Sequence, residues 1–220
     1  MEHIAHIRSD FPDKFGIPRQ SGLVDSLVSR VVFAPEYRNP DALRGIEGFS
    51  HLWLIWEFSE SVGKPWSPTV RPPRLGGNAR LGVFATRSPF RPNPIGLSCV
   101  RLVGVEQGKD GPVLVVAGAD LMDGTPIYDI KPYIPYADCR PEALGGFTTN
   151  ASDYLLKVDF PEAELAKFPH DRRQTAMDLL SHDPRPSYQK DPQRVYGMSF
   201  AGKNIRFRVE EDTLIVLEVL

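Results

Sequence analysis

A chain of 220 residues, 41% apolar and 25% charged, is long enough to bury a real core and ordinary enough in composition to fold as a globular protein. Its two cysteines, Cys99 and Cys139, form no C-x-x-C pair, so a disulfide scaffold is not expected, and no apolar run reaches the ~18 residues that span a membrane. The formal net charge of −2 hides an asymmetry. No acidic residue stands between Glu60 and Glu106, whereas Lys64, Arg71, Arg74, Arg80, Arg87, Arg91 and Arg101 do, which is the footprint of an anionic partner.

In chain order, His3–Phe11 reads as a short strand ending near Asp10. His3 and His6 have the spacing of a metal pair but lack supporting ligands, so structural histidines are expected. Asp13–Gly22 is a turn-rich loop carrying Arg19 and Gln20, and Leu23–Phe33 reads as a long strand or two pieces of one. Asn39–Leu43 suits one helical turn. Phe49–Phe58 is nearly all apolar, as in a strand buried on both faces or closing a barrel.

Ser59–Arg80 is a long loop rich in Pro, Gly and Arg, of a length that is usually functional or disordered in a compact domain. Gly82–Ser98 opens like a strand, then packs Pro89, Pro92 and Pro94 around Arg87, Arg91 and Asn93. Each proline fixes its own φ and biases its predecessor, so this loop is stiff. Strands are expected at Ile95–Val105, Val113–Ala119 and Pro126–Tyr133, with Cys99 in the core. Asp120–Asp138 gathers Asp120, Asp123, Asp129 and Asp138 with Lys131, Tyr128, Tyr133 and Tyr136, which favours a polar site. Beyond a boundary near Thr149–Ser152, Asp153–Phe160 reads as a strand. Pro161–Ser181 reads as a helix divided by Pro169, followed by a meander over Val195–Val219. No G-x-G-x-x-G, Walker loop, H-E-x-x-H or G-x-S-x-G motif occurs.

The stretches TRSPFRPNPIGLS at 86–98, DLMDGTPIYDIKPYIPYAD at 120–138, GIPRQSG at 16–22 and DPRPSYQKDPQRVYGMSF at 183–200 resemble the TrmO-type (TsaA-like, YaeB-like) family over nearly the whole chain. The resemblance implies a mainly β protein. Residues 1–150 would form a closed antiparallel β-barrel that binds S-adenosyl-L-methionine, and 151–220 a small α+β domain. It implies a cytoplasmic, homodimeric, metal-independent tRNA methyltransferase that methylates N6 of N6-threonylcarbamoyladenosine-37 in threonine tRNAs. By the same resemblance the cofactor would be held by Pro18, Arg19, Gln20, His51, Leu52, Arg87, Leu97 and Asp120, Leu121, Met122 and Asp123.

Physically, Arg19 or Arg87 could pair with the cofactor's carboxylate, Asp120 or Asp123 could accept from its ammonium or ribose, and Leu52 and Leu97 could wall its apolar parts. Asn93, Asp129, Lys131 and Tyr133 form the pool from which a group handling the N6 proton would come. Arg91 and the basic loop Lys64–Arg80 are the candidates for meeting the substrate's carboxylate and phosphates, and Arg185, Lys190 and Arg194, with Tyr188 as a stacking face, for holding the anticodon loop of the tRNA. A non-catalytic RNA-binding module and an S-adenosylmethionine-sensing barrel stay open as alternatives.

Overall fold

The computed structural model describes residues 1–72, 75, 79–149, 154–186, 189 and 191–220. Six strands make the first sheet: β1 (Ala5–Arg8), β2 (Val28–Phe33), β3 (His51–Glu57), β6 (Ile95–Gly108), β7 (Gly111–Ala117) and β8 (Pro126–Pro132). Every pairing between them is antiparallel. They run in the order β1-β2-β7-β6-β3-β8, and β8 returns to β1 through Ala5↔Ile127 and His6↔Pro126, so the pairings form a closed barrel.

Alternation decides which side chains fill it. Along β3, Leu52, Leu54 and Trp56 face inward, and His51, Trp53, Ile55 and Glu57 face outward. The apolar run at Phe49–Phe58 is therefore buried on one face, not two. Cys99, opposite outward-facing Trp53, is half-exposed and not core. The inner residues pack with Ile7, Val31, Val100, Leu114, Val116 and Ile127.

A second sheet has the order β10-β11-β12-β9, from β9 (Lys157–Asp159), β10 (Tyr196–Phe200), β11 (Lys203–Glu210) and β12 (Thr213–Val219), with β9 parallel to β12. As expected, Pro169 separates two helices, α2 (Glu162–Leu165) and α3 (His170–Ser181). The short helix α1 (Pro135–Asp138) follows β8. The core of this second unit also takes in Phe11, Val24 and Leu27. Leu23–Leu27, read as strand from its apolar content, is instead a turn from which Val24 and Leu27 insert into that core. The expected boundary at Thr149–Ser152 falls almost wholly on 150–153, outside the described residues.

The connections are unequal. β6 and β7 meet at a two-residue turn, and β2 reaches β3 through three short 3-10 turns. The β1–β2, β3–β6 and β7–β8 connections all leave from the same end of the barrel, near Arg8, Glu57 and Ala117. The middle one contains the short ladder of β4 (Thr69–Val70) with β5 (Leu81–Gly82). Gly82–Ser98 therefore opens as the last residue of β5 and a 3-10 turn at Val83–Ala85 before its prolines. Gly16 fixes the first loop against the second sheet: it sits at φ +89°, and a Cβ there would lie 2.3 Å from Met198 Sδ.

Candidate active site

The three long connections enclose a pocket of about 400 Å³ at that mouth. Its floor is built across the β3–β6 ladder, where Trp56 stands opposite Gly96. The indole lies where a side chain at 96 would be: a Cβ on Gly96 would fall 2.2 Å from the ring. Phe58 packs against the same indole at 4.3 Å between centroids.

From this floor a directed hydrogen-bond chain leads to Asp120. Trp56 Nε1–H donates to Ser98 Oγ at 2.9 Å, and Ser98 Oγ donates to Asp120 Oδ1 at 2.5 Å. The direction is forced. An indole N–H can only donate, so the serine hydroxyl must accept from it and turn its own proton to the carboxylate. Ser98 has no exposed surface. Burial pushes the Asp120 carboxyl above the usual range, against the Ser98 hydrogen bond and the nearby Arg87 guanidinium, which both act to lower it.

The opposite wall comes from the first and second loops. Arg87 donates through Nη1 to Gln20 Oε1, and Gln20 Nε2 donates back to the Arg19 carbonyl. Arg19 Nη2 in turn donates to the carbonyls of Asp183 (3.3 Å) and Arg185 (3.0 Å), so the second unit holds this loop from outside. Pro18, Arg19, Gln20, Arg87, Leu97 and Asp120, six of the residues expected from the sequence, thus line one pocket, together with Arg91.

The other expected residues lie elsewhere. Leu52 and Leu121 are core side chains, because inward alternation on β3 and the descent of the β7–β8 loop point them into the barrel; they do not wall the pocket. Asp123 ties down the end of β1, accepting from Ser9 N at 3.0 Å and pairing with Arg8 at 3.3 Å. The Met122 carbonyl accepts from Thr125 Oγ1 at 2.7 Å in the same turn.

His51 begins β3, roughly 16 Å from Trp56 at five residues of extended chain. It accompanies Tyr133 and Trp53 on the outer face, with ring centroids 6.2 Å (His51–Tyr133) and 5.7 Å (Trp53–Tyr133) apart. Burial and the neighbouring Cys139 push the Tyr133 phenol upward. Asp129 and Lys131 form an exposed ion pair at 2.9 Å on the same sheet. Of the proton-handling pool, only Asn93 sits on a mouth loop, where its carbonyl accepts from Ile95 N at 2.8 Å.

Two of the expected tRNA-holding cations are committed inside the protein. Arg91 Nη1 donates to the carbonyls of Thr86 (2.7 Å) and Val83 (3.3 Å) and so braces its own loop. Arg185 grips Asp183 through Nε at 2.8 Å and Nη2 at 2.9 Å, with its side chain only 13% exposed. Arg194 lies over the Tyr196 ring at 5.4 Å. Tyr188 and Lys190 lie outside the described residues. No group of three metal-ligating side chains occurs among the described residues. Sequence reasoning missed Trp56, Gly96 and Ser98; the last two stood within I-G-L-S, but their partner lies forty residues earlier.

Comparison with known proteins bears directly on this pocket. The family model of the tRNA-methyltransferase O N-terminal domain matches residues 6–139, which include all its loops, and that of the TrmO C-terminal domain matches 153–220. The chain belongs to the TrmO family. It is 44% identical over 218 residues to the tRNA (adenine(37)-N6)-methyltransferase of Escherichia coli (strain K12), covering 96% of this chain and 93% of that one. It is 42% identical over 225 residues to RcsF of Pseudomonas aeruginosa, provisionally named an S-adenosylmethionine-dependent methyltransferase, covering 98% and 95%. The crystal structure of TrmO from Pseudomonas aeruginosa superposes with a TM-score of 0.78 at 34% identity, covering 99% and 97% of the two chains.

Proposed function

We propose that this TrmO-family protein transfers a methyl group from S-adenosyl-L-methionine to N6 of N6-threonylcarbamoyladenosine-37 in threonine tRNAs. The observation that carries this reading is the mouth pocket, in which segments 18–20, 87–97 and 120 of a TrmO-family chain converge. At about 400 Å³ it falls within the size range of cofactor sites. Its donor set suits the cofactor: Arg87 and Arg19 for a carboxylate, Asp120 for an ammonium or ribose hydroxyl, and exposed Leu97 for an apolar wall. When bound, S-adenosylmethionine supplies an electrophilic methyl carbon.

The residues of the chain position rather than react. In-line displacement needs its two reactants aligned, and a loop stiffened by three prolines does that without being reordered in each turnover. Ser98 aims Asp120, and Gln20 aims Arg87. Asn93 stands on the mouth loop as an acceptor for the N6 hydrogen. The chemistry needs no metal.

We assign cofactor binding and methyl transfer to residues 1–150 and tRNA holding in part to 151–220; the barrel core is built wholly from the first segment, while the second core also takes in Phe11, Val24 and Leu27 from it. A cytoplasmic site of action follows from the tRNA substrate. We also infer a homodimer, since exposed Leu97 stands opposite half-buried Ile55 on the outer face of β3 and β6, two residues along from half-buried Trp53.

The test is to mix the protein with methyl-labelled S-adenosylmethionine and tRNA from a strain lacking this gene. Label is expected in threonine tRNA and nowhere else. Arg87→Ala should weaken S-adenosylhomocysteine binding, measured by calorimetry, far more than tRNA binding. Cofactor binding without any label in threonine tRNA would leave the sensing or RNA-binding alternative standing instead.

A further inference from the structure

Three aromatic side chains on the β3–β6 connection face solvent: Trp66 at 49% exposure, Phe84 at 73% and Phe90 at 46%. Single exposed apolar residues are commonplace. These three, however, are folded into one lobe. Ser67 N donates to the Phe90 carbonyl at 3.3 Å, which brings Trp66 beside Phe90. Val83 N donates to the Pro68 carbonyl at 3.0 Å, and the ladder Thr69↔Gly82 continues that pairing, which brings Phe84 to the same place. The lobe is anchored by Val83, which is 1% exposed and forces its neighbour Phe84 outward in the 3-10 turn.

The lobe stands on the pocket edge. Arg91, which lines the pocket, lies with its guanidinium carbon 5.9 Å from the Phe84 ring centroid. Lys64, Arg71, Arg80 and Arg87 are exposed on the same connection, inside the segment that carries no acid from residue 61 to 105.

We propose that Trp66, Phe84 and Phe90 form a stacking platform for unpaired RNA nucleobases at the mouth of the pocket. The inference rests on the tRNA reading above and names surface that reading leaves unassigned. Every base offers a π-face to an aromatic ring, and flanking cations hold the phosphates, which is how single-stranded nucleic acid is bound without sequence readout. An anticodon loop delivers such bases, and the one to be modified must enter the adjoining pocket while its neighbours need another surface. A second copy of this chain fits poorly, because two such basic lobes set face to face would repel.

The experiment measures unmodified threonine tRNA affinity by fluorescence anisotropy at fixed salt, beside S-adenosylhomocysteine affinity by calorimetry. Phe84→Ala and Phe90→Ala are each expected to weaken tRNA binding by about tenfold, with Phe84→Leu similarly weak and Phe84→Tyr close to wild type, because the ring and not its apolarity stacks. S-adenosylhomocysteine affinity should stay within about twofold of wild type in all of them. Trp66→Phe should keep tRNA affinity but reduce the RNA-induced quenching of tryptophan fluorescence, leaving only what Trp53 and Trp56 contribute. Unchanged tRNA affinity in the Phe84→Ala/Phe90→Ala double variant would overturn the platform while leaving methyl transfer intact. Loss of binding to anionic vesicles instead of tRNA would assign the lobe to membranes. A wild-type protein that never labels tRNA would remove the underlying reading itself.

Discussion

Replacing Gly96 with alanine adds one methyl group at the floor of the pocket. The new Cβ would meet three atoms of the Trp56 ring at 2.2, 2.4 and 2.6 Å. A rigid indole cannot fold away from it, so the ring must retreat from 2.2 Å to the 3.4 Å of ordinary contact, about 1.2 Å. Phe58 closes on the same indole. A movement of that size carries the 2.9 Å Trp56–Ser98 bond beyond hydrogen-bonding range and leaves a buried N–H without its acceptor.

Overpacking costs about 1–3 kcal/mol and an orphaned buried donor about the same, so destabilisation by about 2–6 kcal/mol is expected. For a chain of this length that is a fall in Tm of roughly 5–20 °C. Urea unfolding should show the midpoint falling with the m-value unchanged. S-adenosylhomocysteine affinity should fall as well, because the Trp56–Ser98–Asp120 chain loses its first link. Trp56→Phe in the same chain should recover part of the stability, since the smaller ring makes room, but not the affinity, since phenylalanine donates nothing. Wild-type stability and affinity in Gly96→Ala would refute the reasoning.

Asp120 should make ligand affinity fall at acid pH. Its carboxyl titrates above the usual range because it is buried, and protonation removes an acceptor, so Ser98→Ala, which deletes a hydrogen bond opposing that rise, should move the acid limb of S-adenosylhomocysteine binding to higher pH; an unmoved limb would detach Ser98 from Asp120. The same group acts oppositely on stability: with its folded pKa above the unfolded one, the folded state binds more protons between the two values, so stability rises as pH falls through that window, and Asp120→Asn should abolish that dependence in pH-resolved urea titrations. Leu97→Glu, on the outer face of β6, should reduce the mass seen by light scattering from two subunits to one, whereas a wild-type mass of one subunit would exclude the dimer.

The C-terminal meander was legible because a sheet covered on one face imposes alternation, which Tyr196, Met198 and Phe200 of β10 and Ile205, Phe207 and Val209 of β11 carry in sequence. Phe49–Phe58 left two readings open, burial on both faces or a barrel wall, because its outer face is partly apolar as well; the barrel reading holds. The motif loops were legible for a different reason: three prolines and clustered arginines and acids are costly to maintain as mere connection. Register was not legible. That Trp56 faces Gly96 and reaches Ser98 depends on a pairing across some forty residues, and one residue of slip would turn the indole outward and Ile55 inward. Nor does composition reveal that an arginine is already spent, as Arg91 is on Val83 and Thr86, and Arg185 on Asp183.

That last pairing changes how the two units relate. Asp183 sits at φ +49°, a conformation fixed locally by the bidentate grip of Arg185. The resulting bend presents the carbonyls of both residues to the Arg19 guanidinium. The same β1–β2 loop is held again by Gly16 against Met198, by Ser26 Oγ donating to Asp178 Oδ2 at 2.5 Å and by Thr175 Oγ1 donating to the Ser26 carbonyl at 2.9 Å. Gln20 follows Arg19 directly and accepts from Arg87. The C-terminal unit is therefore a structural wall of the mouth pocket at one remove, since the position of Arg87 depends on a loop that the barrel alone does not hold.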